Sequence, residues 1–129
     1  MDKTIISTTN APLAIGPYSQ AVRWNNLIFI SGQLPIDPQS GEIVKGGIEA
    51  QTQQCLKNLR EVLLSVNASL TTVLKTTLFI RNMDDFSKIN KNYADFFNSD
   101  PPARSCVEVS RLPKDVLIEI EAIAYFKQI

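Results

Sequence analysis

The eight residues Val73–Ile80, Val-Leu-Lys-Thr-Thr-Leu-Phe-Ile, constrain the fold more than any other stretch, because β-branched and apolar side chains occupy both faces of the strand they predict. Such a strand belongs inside a sheet that is covered on both sides. Helices are expected on one face and more protein on the other, and the second cover points to association of chains.

Two segments supply the helices. From Ile48 onward, Cys55, Leu59, Val62 and Val66, with Leu56 and Leu63 beside them, recur at three and four residues. Gln51, Gln53, Gln54, Lys57, Asn58, Arg60 and Glu61 make up the polar remainder, and Asn67 is placed to stop the helix in the left-handed conformation. Cys55 reads as a small core residue. The second helix carries Phe86, Ile89, Tyr93, Phe96 and Phe97 on its apolar side, reads as core, and is capped by Asp84 or Asp85.

The remaining strands are shorter. Gln20–Arg23 and Leu27–Ser31 form a hairpin across Trp24-Asn25-Asn26, since asparagine tolerates the positive φ of such turns, and Ser31-Gly32-Gln33 ends its second strand. A strand around Arg104 and another over 117–126 follow the second helix, separated by a loop over 110–115. The latter strand places Ile118, Ile120, Ala122, Ala124 and Phe126 on one face and Leu117, Glu119, Glu121, Ile123 and Tyr125 on the other. After the opening segment with Thr4-Ile5-Ile6, the order strand, strand, helix, strand, helix, strand, strand predicts an α+β fold, a mixed sheet with two helices packed on one face. Residues 1–129 are expected to form a single domain.

Composition narrows the chemistry. Lys plus Arg and Asp plus Glu each number 13, so no bulk positive field favours nucleic acid. The chain has no histidine, which removes the commonest general base, the commonest metal ligand and every histidine-dependent triad. Cys55 and Cys106 lack the spacing of a metal or redox pair. No bound metal is expected. The first ten residues contain no apolar signal core, and no aliphatic run is long enough to span a membrane. A cytoplasmic protein with reduced thiols is expected.

Arg104 is the most pointed candidate for function. In Pro101-Pro102-Ala103-Arg104-Ser105-Cys106-Val107-Glu108-Val109, small or apolar residues alternate with a cation, a thiol and a carboxylate. A guanidinium in a core strand needs an anion, and its planar fork of donors matches a carboxylate. That anion is either a ligand carboxylate or one of Glu108, Glu119 and Glu121. Glu119, beside Leu117 and Ile123, is a candidate base whose pKa desolvation would raise, or else a solvated or ion-paired strand carboxylate; Glu121 competes for either role. Tyr18 follows the Gly16-Pro17 turn, which can aim its hydroxyl at a ligand or leave the ring packed over the sheet. Ser31-Gly32 could present backbone N–H groups to an anion. Cys106, without a histidine partner, reads as a residue that shapes a pocket.

These residues sit in surroundings that closely resemble the RidA/YjgF family of reactive-intermediate deaminases. The resemblance rests on Ala14-Ile15-Gly16-Pro17-Tyr18-Ser19-Gln20-Ala21, Ser31-Gly32-Gln33, Asp84-Asp85-Phe86 with Asn90 and Tyr93, and above all Pro102–Val109 with Leu112-Pro113 and Ile118-Glu119-Ile120. It implies a chorismate-mutase-like α+β domain forming a homotrimer with clefts between subunits. The implied activity is hydrolysis of 2-iminobutanoate and 2-iminopropanoate to 2-keto acids and ammonia, without a cofactor. Carried over by residue, Arg104 clamps the substrate carboxylate, Tyr18, Ser31, Gly32, Asn90 and Cys106 line the cleft, and Glu119 positions water, with Arg104, Glu119 and Tyr18 as the catalytic set. Two departures stand out: Asn67 where the family usually has glycine, and a short loop over Asn98-Ser99-Asp100-Pro101. The alternative within the same resemblance is a regulatory module that binds keto acids or related metabolites. A sensor needs the anion clamp but has no use for a water-positioning carboxylate.

Overall fold

Six strands form one sheet in the order β1-β2-β3-β6-β4-β5, described over residues 2–127 of a computed structural model. In chain order these are β1 (Thr4–Ile6), β2 (Ala21–Trp24), β3 (Leu27–Gln33), β4 (Val73–Ile80), β5 (Ala103–Glu108) and β6 (Ile118–Tyr125). The helices α1 (Gly47–Leu64) and α2 (Phe86–Phe96) follow β3 and β4. Strands β4 and β5 run parallel and all other pairs are antiparallel, so the sheet is mixed. The expected element order holds, with β1 as an additional strand on β2.

Asn25 has φ 53° in the two-residue turn between β2 and β3, the conformation that favours asparagine there. On β6, Ile118, Ile120, Ala122 and Ala124 are buried under the helices, together with Ile28 and Ile30 of β3 and Leu78 and Ile80 of β4. They meet Leu56, Leu59 and Leu63 of α1 and Ile89 of α2, and full burial of each such side chain contributes ~1.5–3 kcal/mol. The opposite face, carrying Phe29, Thr77, Phe79, Glu121 and Ile123, is only partly covered within one chain.

Asn67 closes α1 as expected. Its φ is 58°, Ala68 N–H donates to Leu63 O at 3.0 Å and Asn67 N–H to Leu64 O at 3.3 Å, the pair of bonds of a Schellman ending. Within the polar remainder of α1, Gln51 and Asn58 are buried. Asn58 Nδ2 donates to Leu34 O and Ile36 O, and Gln51 Oε1 accepts from Leu117 N–H, so both satisfy backbone groups of remote segments.

Two further expectations are corrected. Neither Asp84 nor Asp85 caps α2 through its side chain; Asn82 accepts from Asp84 N–H and starts a 3₁₀ turn, Met83–Asp85, that leads into the helix. The Arg104 strand is not a core strand. It is the edge strand β5, bonded only to β4, and none of its residues is fully buried.

Candidate functional site

Arg104 is half-buried between β5 and α2. Residue Thr76 of β4 stands opposite it in the parallel register, and Thr76 is buried on the helix side of the sheet. Arg104 Nη1 donates to Asn90 Oδ1 at 2.7 Å, and the guanidinium carbon lies 4.9 Å from the Tyr93 ring centre and 5.3 Å from that of Phe86. Tyr93 is fixed in turn by a 2.8 Å hydrogen bond between its hydroxyl and that of Thr76. The cation therefore rests on two π faces and one neutral amide.

The intramolecular ion pair is not formed. Among the described residues the one ion pair within 4.0 Å is Arg111–Asp115. Glu108 instead accepts from Met83 N–H at 2.8 Å. Phe86 and Tyr93, read from sequence as core, prove to be the seat of the guanidinium as well. Cys106 lies two residues along the same face, half-buried, and burial raises its thiol pKa against a smaller opposing effect of Arg104. A thiol held protonated suits packing better than nucleophilic attack.

The other candidates gather elsewhere. Tyr18, Ser31, Gly32 and Glu119 line a cleft of about 630 Å³ whose walls include Leu13, Ile15, Leu34 and Ile36. Lys114 and Glu121 also border it. Glu119 is half-buried, and its carboxyl pKa is raised first by desolvation and second by the like charge of Glu121. It stands opposite Phe79 in the register with β4.

Tyr18 is held by its own loop: its N–H donates to Gly16 O at 2.9 Å and its hydroxyl accepts from Ile15 N–H at 3.3 Å. Gly16, at φ 119°, supplies the turn. The loop is anchored by Gln20, whose buried amide accepts from Thr8 N–H and donates to the carbonyls of Thr8, Ala11 and Pro12. Ser31 does not offer a backbone donor to a ligand, since its N–H donates to Gln20 O at 2.9 Å and its hydroxyl to Ser19 O at 2.6 Å.

The candidates thus fall into two separate groups within one chain. Arg104, Asn90 and Cys106 form a cation seat beside α2, and Tyr18, Ser31, Gly32 and Glu119 form a cleft with a carboxylate at its wall. Sequence reasoning missed Lys114, whose left-handed conformation at φ 57° leaves no local signal in a lysine, and the anchoring role of Gln20. Among the described residues no cluster of three or more Cys, Asp or Glu could hold a metal ion, and no helix is long and apolar enough to cross a membrane.

Residues 8–126 match the family described as Endoribonuclease L-PSP. A RutC family protein of Pyrococcus horikoshii is 57% identical over 95% of this chain and 98% of its own length. The 2-iminobutanoate/2-iminopropanoate deaminase of Homo sapiens is 46% identical over 95% of this chain and 89% of its own. The crystal structure of Escherichia coli TdcF with bound serine superposes with a TM-score of 0.92 at 43% identity, covering 96% of this chain and 99% of that one. With the family match over residues 8–126 and relatives of this identity and coverage, the chain belongs to the L-PSP/RidA family.

Proposed function

We propose that this chain forms a cofactor-independent deaminase that hydrolyses small 2-imino acids, 2-iminopropanoate and 2-iminobutanoate, to 2-keto acids and ammonia, at sites completed between the subunits of a homotrimer. The observation that carries this reading is the pairing of two incomplete halves. Arg104 is an oriented guanidinium with no described carboxylate within 4.0 Å, and Glu119 is a half-buried carboxylate in a cleft whose lining includes Lys114 but no arginine to grip a carboxylate in two-point geometry. Each half supplies what the other lacks. The human relative's name supports the substrate class, and the serine bound by TdcF is a small ligand bearing the carboxylate that such a clamp would take.

The chemistry asks little of the protein. An imine protonated on nitrogen is already electrophilic at C2, so orientation and a placed water account for most of the required help. Arg104 holds the substrate carboxylate in two-point geometry. Water adds to C2 as the C=N electron pair moves onto nitrogen, and its proton passes to Glu119. Glu119 returns that proton to the amine. The C–N bond breaks, the C2 hydroxyl becomes the keto oxygen, and its proton leaves with ammonia as ammonium. A raised pKa makes Glu119 a stronger proton acceptor than an ordinary glutamate.

The test is keto-acid release from an imine generated enzymatically, with and without the protein, before and after chelator. Accelerated release that chelator leaves unchanged is expected. Equal rates with and without the protein would reject the activity.

A further inference from the structure

Strand β3 carries one residue more than the stretch of β6 that faces it. Ile30 pairs with Ala122 and Gln33 with Ile120, so three steps along β3 match two along β6. The surplus falls in Ser31-Gly32 and makes a β-bulge, a device that re-aims the local backbone. The hydrogen bonds of Ser31 to Gln20 O and Ser19 O secure one side of it. Gly32 is thereby brought against Glu119. A Cβ built on Gly32 would lie 1.8 Å from Glu119 Oε2, 2.7 Å from Cδ and 2.9 Å from Cγ.

The backbone of Gly32 does not demand glycine. Gly16, Gly41, Gly46 and Gly47 have positive φ and Gly32 does not, so an L-residue could adopt its conformation. Space is what demands it. We propose that Gly32 is a positioning residue for Glu119: the bulge and the missing Cβ form a shelf that keeps the carboxylate against the sheet at the wall of the cleft. The proposal rests on the water-positioning role of Glu119 given above.

A methyl at Gly32 would meet the far end of a flexible side chain rather than backbone, so the carboxylate, not the fold, must give way. Nonbonded contact distances require Oε2 to retreat from Gly32 by more than about 1 Å, and the open space beside it is the cleft that Glu119 lines. The groups around it are Glu121 on the same strand, Tyr18 of the N-terminal loop, Lys114 of the 113–115 turn, the uncharged Phe79 on β4, and Cys55 of α1, which shares an electrostatic interaction with it.

The experiment compares wild type, Gly32→Ala, Glu119→Gln and the double variant. Carbon-13 carboxyl NMR of glutamate-labelled protein, with the Glu119 signal assigned by its loss in Glu119→Gln, reads the position of the carboxylate whether or not the protein is a deaminase. Its titration midpoint should fall toward the ordinary glutamate range in Gly32→Ala, and an unmoved midpoint would overturn the proposal. In the imine assay Gly32→Ala should lose roughly tenfold or more in kcat while keeping 2-keto acid affinity within about twofold. In the Glu119→Gln background the same methyl should cost no more than about twofold, because the group it acts through is gone. Equal losses in both backgrounds would overturn the proposal, and so would lost keto-acid binding, since the methyl would then be blocking ligand. Wild type without imine hydrolysis would reject the deaminase reading and leave the NMR result to decide the shelf. If Gly32→Ala does not fold, Gly32→Ala/Glu119→Ala removes the clashing side chain and should restore folding; failure of that variant would place the requirement in the backbone and overturn the proposal.

Discussion

Arg104 and Glu119 stand on opposite faces of one sheet. Arg104 is in register with Thr76, whose side chain is buried beneath the helices, whereas Glu119 is in register with Phe79, three residues along the same strand and so on the other face. No rotamer change carries a guanidinium through a hydrogen-bonded sheet. A site that uses both residues must take them from two chains. If the oligomer is the homotrimer proposed above, sedimentation at micromolar concentration should give about three chain masses. Arg104→Ala and Glu119→Gln, each strongly impaired alone, should regain activity when unfolded together and refolded: with random assembly about one quarter of the sites draw both intact residues. A fully active monomer, or an inactive mixed oligomer, would reject the shared site.

The two variants should also separate binding from chemistry. Removing one partner of a desolvated two-point charge pair costs about 2–5 kcal/mol, so Arg104→Ala should lose keto-acid binding and turnover by roughly thirtyfold or more. Glu119→Gln keeps the size of the side chain and should bind an unreactive 2-keto acid almost normally while hydrolysing imine slowly. Arg104→Ala with undiminished affinity would remove the clamp, and Glu119→Gln with full turnover would remove the water-positioning role.

What could be read from the sequence depended on whether the signal was local. Both helices and the faces of β6 follow from apolar periods within single segments, and Asn67 follows from a conformation that few residues accept. The burial of Gln51 and Asn58 was not legible because their partners, at Leu117, Leu34 and Ile36, are distant in sequence, and a helical period does not say which amides serve them. Alternation in the Arg104 strand put Arg104 and Cys106 on one face but gave no sign that the strand is an edge. The site residues were nameable, yet their division between two faces depends on the register of β6 and β5 against β4. The bulge at Ser31-Gly32 is likewise a property of a strand pair.

The two helix-associated asparagines should respond in opposite directions. Asn58 serves two buried backbone carbonyls, and Asn58→Ala leaves them without a partner, at about 1–3 kcal/mol for each group left unsatisfied. Asn67 holds a left-handed conformation that costs an L-residue ~1–2 kcal/mol and costs glycine little. Asn67→Gly should be neutral to stabilising by up to about 1 kcal/mol, its larger unfolded-state entropy offsetting part of the gain. Urea unfolding reads both; a stabilised Asn58→Ala would contradict the hydrogen-bond assignment.

Glu119 should make the protein less stable as pH rises. Its carboxyl pKa is raised in the folded state by desolvation and by Glu121, whereas in the unfolded chain it returns to about 4.3. The folded state therefore holds this proton more tightly, and stability falls as pH climbs from the unfolded pKa through the folded one. Below the unfolded value both states are protonated and the penalty vanishes. Above the folded value a charged group sits half-buried and the penalty is complete. Glu119→Gln carries no charge at any pH, so its stability relative to wild type should be least below the unfolded pKa and greatest above the folded one, with the change confined to the interval between the two. Thermal unfolding of the pair across that range measures the difference directly. A difference that is constant with pH would mean that Glu119 titrates alike in both states and that the cleft wall does not desolvate it.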